Sequence, residues 1–217
     1  MTTSNGHLVL VGTTASGKSA LAMEVARCRQ GVELVSMDSM QVYRGMDIGT
    51  AKPSAADRAE VPHHLVDLVD PHEEFAVSMF QAACREALAD IVDRRCRALL
   101  VGGTGLHTQA VVDDLEVPGR FDEVRADLDA EPDTAALYRR LEEADPVAAG
   151  RMEPTNRRRV VRALEVLASS PERCPAAPSR RAPDFATVMV GVAVERAELH
   201  RRIDARVARM VREGWVG

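Results

Sequence analysis

The run Gly12-Thr13-Thr14-Ala15-Ser16-Gly17-Lys18-Ser19 matches G-x-x-x-x-G-K-[ST] at every fixed position. Before it, the apolar residues 7–11 read as a short buried strand, and after it residues 20–27 continue as a helix. This setting lets successive backbone N–H groups and a helix N-terminus surround a cluster of anionic oxygens. Gly12, Thr14, Ala15, Ser16 and Gly17 would form the cradle. Lys18 would reach the terminal phosphates, and the Ser19 hydroxyl would hold a magnesium ion. A chance glycine turn is the competing reading, and the flanking strand and helix argue against it. The loop predicts binding of a di- or triphosphate without deciding which one, or for what reaction.

Outward from this loop, apolar runs at residues 8–11, 32–36, 65–69, 98–101 and 187–194 read as strands. Helical patterns over residues 20–27 and 78–94 fall between them. Alternation of this kind predicts an α/β fold, a P-loop NTPase-like, doubly wound and mostly parallel sheet. Between Val117 and Ser170 the sequence turns charged and helix-rich, with no clear strand. The expected organisation is a core domain in residues 1–117 and a helical insertion with a linker in 118–183. Residues 184–217 then return to the core as a final strand and a helix over 197–213. Pro118-Gly119 marks the entry to the insertion, and Pro171, Pro175, Pro178 and Pro183 mark its exit. No repeat of solenoid length is visible.

The 217 residues are 46% hydrophobic but only 3% aromatic, so the core must rest on Val, Leu, Ala and Met. A net charge of −5 argues against indiscriminate coating of nucleic acid, although a local basic surface remains compatible with it. Cys28, Cys84, Cys96 and Cys174 are widely spaced, which predicts reduced thiols rather than disulfides or a zinc site. With neither a signal-peptide pattern nor a run of membrane-spanning length, a soluble cytoplasmic chain without membrane contact is expected, as a monomer.

Two further stretches face the same crevice if the sheet forms as read. Asp38 lies just past the second strand, where loops line the ligand cleft of doubly wound folds. A carboxylate there either holds magnesium through water, acts as a general base, or caps a turn. Val101-Gly102-Gly103-Thr104-Gly105 ends the fourth strand, and is either a second phosphate-contacting loop or merely a turn. Farther on, Arg158, Arg159 and Arg162 share one side of a helix whose other side carries Val160, Val161, Leu164 and Leu167. Such a face is either solvated or binds an anion. In the last helix Leu199, Ile203, Val207, Met210 and Val211 form an apolar stripe, with Arg202, Arg206 and Arg209 along its edge.

Taken in order, Gly12–Ser19, Asp38–Gln41, Asp47-Ile48-Gly49-Thr50-Ala51-Lys52-Pro53 and Gly102–Gly105 resemble the tRNA dimethylallyltransferase (tRNA isopentenyltransferase) family. So do Pro62-His63-His64-Leu65, the stretch from Asp67 to Pro71, Asp145-Pro146-Val147-Ala148-Ala149 and Arg162-Ala163-Leu164-Glu165-Val166. The resemblance extends from about Leu8 to Trp215. It implies transfer of a dimethylallyl group from dimethylallyl diphosphate to an adenosine exocyclic amine. The target is the adenosine 3′ of the anticodon, in tRNAs reading codons that start with U. The phosphate loop would then cradle a leaving group rather than a nucleotide, with Mg2+ at Ser19. By the same resemblance Asp38 is the general base, and Thr104 and Arg206 act on the diphosphate. The tRNA anticodon stem-loop would meet Asp38, Ser39, Met40, Gln41, Thr104, Arg125, Arg158, Arg159, Val160, Val161 and Arg162. A small-molecule or nucleotide kinase shares the phosphate loop, but it does not need the run from Asp47 to Pro53.

This sequence departs from the family at Thr13, where many members carry proline, and at His107, where tyrosine is usual. Family members also continue through further helices beyond the position of Gly217. A chain ending there is expected to keep phosphate binding and to hold tRNA less well, or to act only as a diphosphate- or tRNA-binding form.

Overall fold

In the computed structural model, which describes residues 6–103, 105–169 and 185–216, the first apolar run forms strand β1 (His7–Gly12). Its pleat turns Val9 and Val11 into one apolar cluster and Leu8 and Leu10 into another on the opposite face. Helix α1 (Lys18–Cys28) leads to β2 (Val32–Ser36), then α2 (Ala55–Glu60) and the two-residue β3 (His63–His64). Next come α3 (Val77–Asp93), β4 (Arg97–Gly102) and α4 (Leu106–Val112). The helices α5 (Asp122–Asp129), α6 (Thr134–Ala144), α7 (Pro146–Ala149) and α8 (Arg157–Ser169) follow. Strand β5 (Thr187–Val192) and helix α9 (Arg196–Arg212) come last.

Every strand pairs in parallel, in the order β3-β2-β4-β1-β5. Val9 and Val35 both sit opposite Leu100, so these three side chains share a face. They pack on Phe80, Cys84, Leu88 and Ile91 of α3 and on Val111 and Val112 of α4. Leu10, Leu34 and Leu99 face the other way, onto Ala22, Met23 and Ala26 of α1. Each fully buried Val, Leu, Ile or Phe stabilises by roughly 1.5–3 kcal/mol, which favours helices on both faces of the sheet. The doubly wound arrangement is the one the alternating pattern predicts. Because β4 lies between β2 and β1, the loops after these three strands leave the sheet side by side at its C-terminal edge.

The expected strand over residues 65–69 does not form. Leu65 and Asp67 take left-handed backbone, with φ of 61° and 58°, which breaks an extended run. Pairing with β2 occurs instead at His63 and His64, and Val69 makes only an isolated bridge with Tyr43. What holds the irregular segment is charge. Lys52 Nζ donates to Asp67 Oδ1 at 2.6 Å and to the Tyr43 carbonyl at 2.7 Å, and it pairs with Asp47 at 2.8 Å. The Lys52 side chain is only 1% exposed, so three oxygens meet its three N–H donors away from water. Arg58 closes on the other carboxylate oxygen of Asp67, at 2.6 Å.

The chain divides into two compact units, one of Met1–Leu115 with Arg181–Gly217 and the other of Glu116–Arg180. The second is helical. Its core gathers Leu128, Leu137, Leu141, Ala148, Ala149, Val160, Val161 and Leu164. Asp145 caps α7 by accepting the Ala148 N–H at 2.8 Å, with Pro146 at the first helical position. Glu165 is fully buried, and it accepts the Phe121 N–H at 2.9 Å and the Arg162 guanidinium at 2.9 Å, with Arg125 at 3.5 Å. Arg157 turns inward and donates to the carbonyls of Glu131 (2.6 Å) and Asp129 (3.2 Å) near the end of α5.

In the first unit the apolar stripe of α9 is covered only in part. Met210 is buried and Leu199 and Ile203 are half-buried, whereas Val207 and Val211 are exposed, as are Val188, Met189 and Val190 on edge strand β5. Cys28, Cys84 and Cys96 are free thiols, and burial pushes Cys84 up to about 12. Cys174 and the Pro-rich stretch 171–183 lie outside the described residues. No helix among the described residues is long and apolar enough to cross a membrane.

Removing one member of a buried charged cluster strands the others, at a cost of about 3–5 kcal/mol. Lys52→Met should therefore lower the urea midpoint of the first unit. Glu165→Ala, which leaves two guanidinium groups and a buried N–H without their acceptor, should do the same to the helical unit. Unchanged unfolding midpoints in these variants would show that water already satisfies both clusters.

Candidate active site

The phosphate loop fills the gap between β1 and α1. Gly17 sits at the head of α1 with φ of 93°, a conformation that L side chains rarely adopt, and the preceding Ala15 is also left-handed at 64°. Alternation of this kind turns successive N–H groups inward to form an anion-binding nest. No side chain caps α1, and its first turn holds no acidic residue, so the orphan amides remain available to a ligand. The Ser16 hydroxyl is buried without a hydrogen-bond partner. Lys18 folds back over the loop, Nζ donating to the Thr13 carbonyl at 3.3 Å. Burial first, and then the neighbouring Arg206, hold the Lys18 ammonium below the usual lysine range, with Asp38 acting in the opposite direction.

A crevice of about 1380 Å³ opens beside the loop. Gly12, Thr14, Lys18 and Ser19 line it from the loop, Asp38, Ser39 and Gln41 from the segment after β2, and Arg206 from α9. Asp38 realises the turn-capping reading as well as the crevice-facing one, because its Oδ1 accepts the Met40 N–H at 2.8 Å. Ser36 and Gln41 brace this turn. The Asp38 N–H donates to Ser36 Oγ at 3.3 Å, and Ser36 Oγ donates to Gln41 Oε1 at 2.8 Å. Gln41 Nε2 in turn donates to the carbonyls of Thr50 (3.2 Å) and Ala51 (3.3 Å). Met40 is exposed.

Thr104 lies outside the described residues. Its neighbours Gly103 and Gly105 line the crevice, and Thr108 Oγ1 anchors the loop by donating to the Gly103 carbonyl at 2.6 Å. His107 also lines the crevice. Its ring stands edge-on to Phe80 at 4.9 Å, and burial lowers its pKa against the pull of Asp38, which favours the neutral ring. Arg202, placed by the sequence only along a helix edge, reaches the loop through Nη1, 3.5 Å from the Ser16 carbonyl.

The arginines of the helical unit divide by environment. Arg158 and Arg159 are exposed on α8. Arg162 is committed, its guanidinium donating to the carbonyls of Pro118 (2.6 Å) and Gly119 (2.9 Å) besides Glu165. Arg125 is half-buried between Asp129 and Glu165. Val160 and Val161, expected on the RNA-contacting stretch, have side chains buried in the helical core and so expose no side-chain surface there.

Neither Lys52 nor Ser36 has a role that its place in the sequence assigns by itself. A lysine flanked by aspartates at 47 and 67 was a signal for the first. The second could be found only through the turn that it braces. Among the described residues no group of three or more His, Cys, Asp or Glu is placed to hold a metal ion. Ser19 and Asp38 nevertheless open onto one crevice, and a hydroxyl with a carboxylate suits magnesium shared with phosphate oxygens.

Family models described as Isopentenyl transferase and IPP transferase match residues 6–63 and 41–217. A tRNA dimethylallyltransferase of Desulforudis audaxviator is 47% identical over 96% of this chain and 69% of its own length. One from Bifidobacterium longum is 42% identical over 95% of this chain and 65% of its own. The chain thus spans about two thirds of the length of the curated relatives it matches. Among solved structures, the full-length tRNA isopentenylpyrophosphate transferase of Bacillus halodurans is 39% identical, with a TM-score of 0.64 over 97% of this chain and 67% of that one. A eukaryotic dimethylallyltransferase described as acting on tRNA is 29% identical, with a TM-score of 0.78 over 97% of this chain and 54% of that one. A family model over residues 41–217, on a sheet that sets the phosphate loop beside Asp38, establishes that the chain belongs to the tRNA dimethylallyltransferase family.

Proposed function

We propose that the crevice transfers a dimethylallyl group from dimethylallyl diphosphate to the exocyclic amine of an adenosine in a tRNA anticodon stem-loop. The observation that carries this reading is the placement of Asp38 on the same crevice as the phosphate loop and Arg206. One side of the crevice suits an anionic leaving group, and the other offers a carboxylate to a nucleophile.

The C–O bond between the dimethylallyl carbon and the diphosphate breaks as the C–N bond to the amine forms. An adenine amine is a weak nucleophile, so the barrier falls chiefly by stabilising the departing diphosphate and by holding the reactants in line. The α1 amides, Lys18, Thr104 and Arg206 serve the leaving group. Ser19 would hold a magnesium ion, which would supply further charge neutralisation to the leaving group. Asp38 accepts the proton that the amine loses. The Asp38–Met40 turn and the Ser36–Gln41 brace keep that carboxylate from rotating away. The target base must leave its stack to reach the crevice, at a cost of a few kcal/mol. The exposed Arg158 and Arg159 are suited to holding the RNA backbone meanwhile.

Asp38→Ala should abolish single-turnover transfer to an anticodon stem-loop while leaving the dissociation constant for inorganic diphosphate within about threefold of the parent. Collapse of diphosphate binding would make Asp38 a metal-holding or structural residue. Phosphorylation of a small acceptor by ATP, without dimethylallyl transfer, would replace the whole reading with a kinase. RNA binding without either reaction would leave a binding form. Arg158→Ala and Arg159→Ala should each weaken stem-loop binding and flatten its salt dependence by about one phosphate contact, with diphosphate affinity unchanged.

A further inference from the structure

We infer that Trp215 is a positioning residue for the reaction proposed above, and the inference rests on that reading. Trp215 is the only tryptophan in the chain, and it is 54% exposed, so it is not placed there to fill the core. It follows Gly214, whose φ of 91° turns the chain back at the end of α9. The Trp215 N–H donates to the Met210 carbonyl at 3.0 Å, which holds the backbone at this residue against the end of α9. The indole comes to rest on Gly49. A Cβ at position 49 would lie 3.1 Å from both Cδ1 and Cε2 of Trp215 and nearer still to Nε1. A side chain at 49 would therefore displace the indole, while the backbone of residue 49 makes no demand for glycine, its φ being outside the left-handed region.

The segment under the indole connects directly to the proposed base. Ala51 and Lys52 donate backbone N–H groups to Ile48 and Asp47, both at 3.0 Å, making a tight double turn around Gly49. The carbonyls of Thr50 and Ala51 receive Gln41, Gln41 receives Ser36, and Ser36 receives the Asp38 N–H. Lys52 fastens this turn from its inner side, through Asp47, Asp67 and Tyr43. Trp215 closes the outer side. With both in place the Thr50 and Ala51 carbonyls cannot retreat, and the hydrogen-bond chain to Asp38 keeps its length. Asp38 must meet the amine within hydrogen-bond reach, so slack in that chain lowers the rate of transfer more than it lowers ligand affinity.

The test uses the 217-residue chain with Trp215→Ala, Trp215→Phe and Gly49→Ala. In hydrogen exchange, Trp215→Ala and Gly49→Ala should lose at least tenfold protection at residues 47–52 and 38–41, while strand β1 keeps its protection. Emission of the single tryptophan should shift to the red in Gly49→Ala. In single-turnover transfer both variants should fall at least tenfold in rate at saturating dimethylallyl diphosphate, with diphosphate affinity changed less than twofold. Trp215→Phe should recover to within about threefold of the parent. Parent-like exchange at 38–41 and 47–52 in Trp215→Ala overturns the inference, and so does an unchanged rate. A parallel loss of diphosphate affinity and melting temperature also overturns it, as a merely structural effect. If the parent itself transfers nothing, the proposed function fails, and the exchange pattern alone decides whether Trp215 holds the turn.

Discussion

Helix α1 begins on amide groups that no side chain caps, and Lys18 and Arg206 add positive charge at the same place. Residues 12–19 contain no carboxylate to balance them. The free protein thus concentrates unbalanced positive charge at this point, and burial first, then Arg206, hold the Lys18 ammonium below the usual lysine range. Much of the surrounding structure serves to keep that charge in place rather than let it relax. Parallel pairing of β1 with β4 and β5 fixes the start of the loop, and burial of Ala22, Met23 and Ala26 fixes the helix behind it. An anion that arrives meets donors already aimed, so little reorganisation opposes its binding.

The opposite side of the crevice is built by different means. No regular element positions Asp38. A relay of side chains and carbonyls does so, running from Ser36 through Gln41 to Thr50 and Ala51. Polar relays hold geometry well when every member is satisfied and poorly when one is lost, because each buried donor depends on its neighbour. The buried Lys52 ammonium shows how strongly this segment is constrained, since a desolvated lysine persists only where oxygens surround it.

The parallel sheet, the phosphate loop and the helical insertion were legible because each has a local signature. Short apolar runs marked β1, β2 and β4, and the glycine-lysine motif marked the turn between β1 and α1. Residues 65–69 were misread for a physical reason. Leu65-Val66-Asp67-Leu68-Val69 has strand composition, but the pull of Lys52 and Arg58 on Asp67 is a long-range effect that no local pattern contains. The arginines of α8 posed the same difficulty. Spacing placed Arg158, Arg159 and Arg162 on one side, yet it gave no sign that Glu165, one turn on, is buried and takes Arg162 and Arg125 as its counter-charges. Resemblance to the family identified this stretch as important without separating the exposed arginines from the structural ones.

That separation bears on how a chain of net charge −5 can hold RNA. Charges farther apart than the Debye length, about 8 Å at physiological ionic strength, are largely screened, so the local face matters more than the total. With Arg125 held by Asp129 and Glu165, and Arg162 by Glu165 and the Pro118 and Gly119 carbonyls, the α8 face offers chiefly Arg158 and Arg159 to phosphate oxygens. Roughly two such contacts give a shallow salt dependence and only a modest sequence-independent affinity. On the proposed reading, discrimination among RNAs would then come from the base itself, through the fit of an unstacked adenine beside Asp38. Unstacking costs a few kcal/mol, and a weak backbone grip does not offset that for the wrong base. If the proposed transfer holds, a restrained arginine face favours selectivity, because only a base that makes good contacts in the crevice would stay long enough to be alkylated.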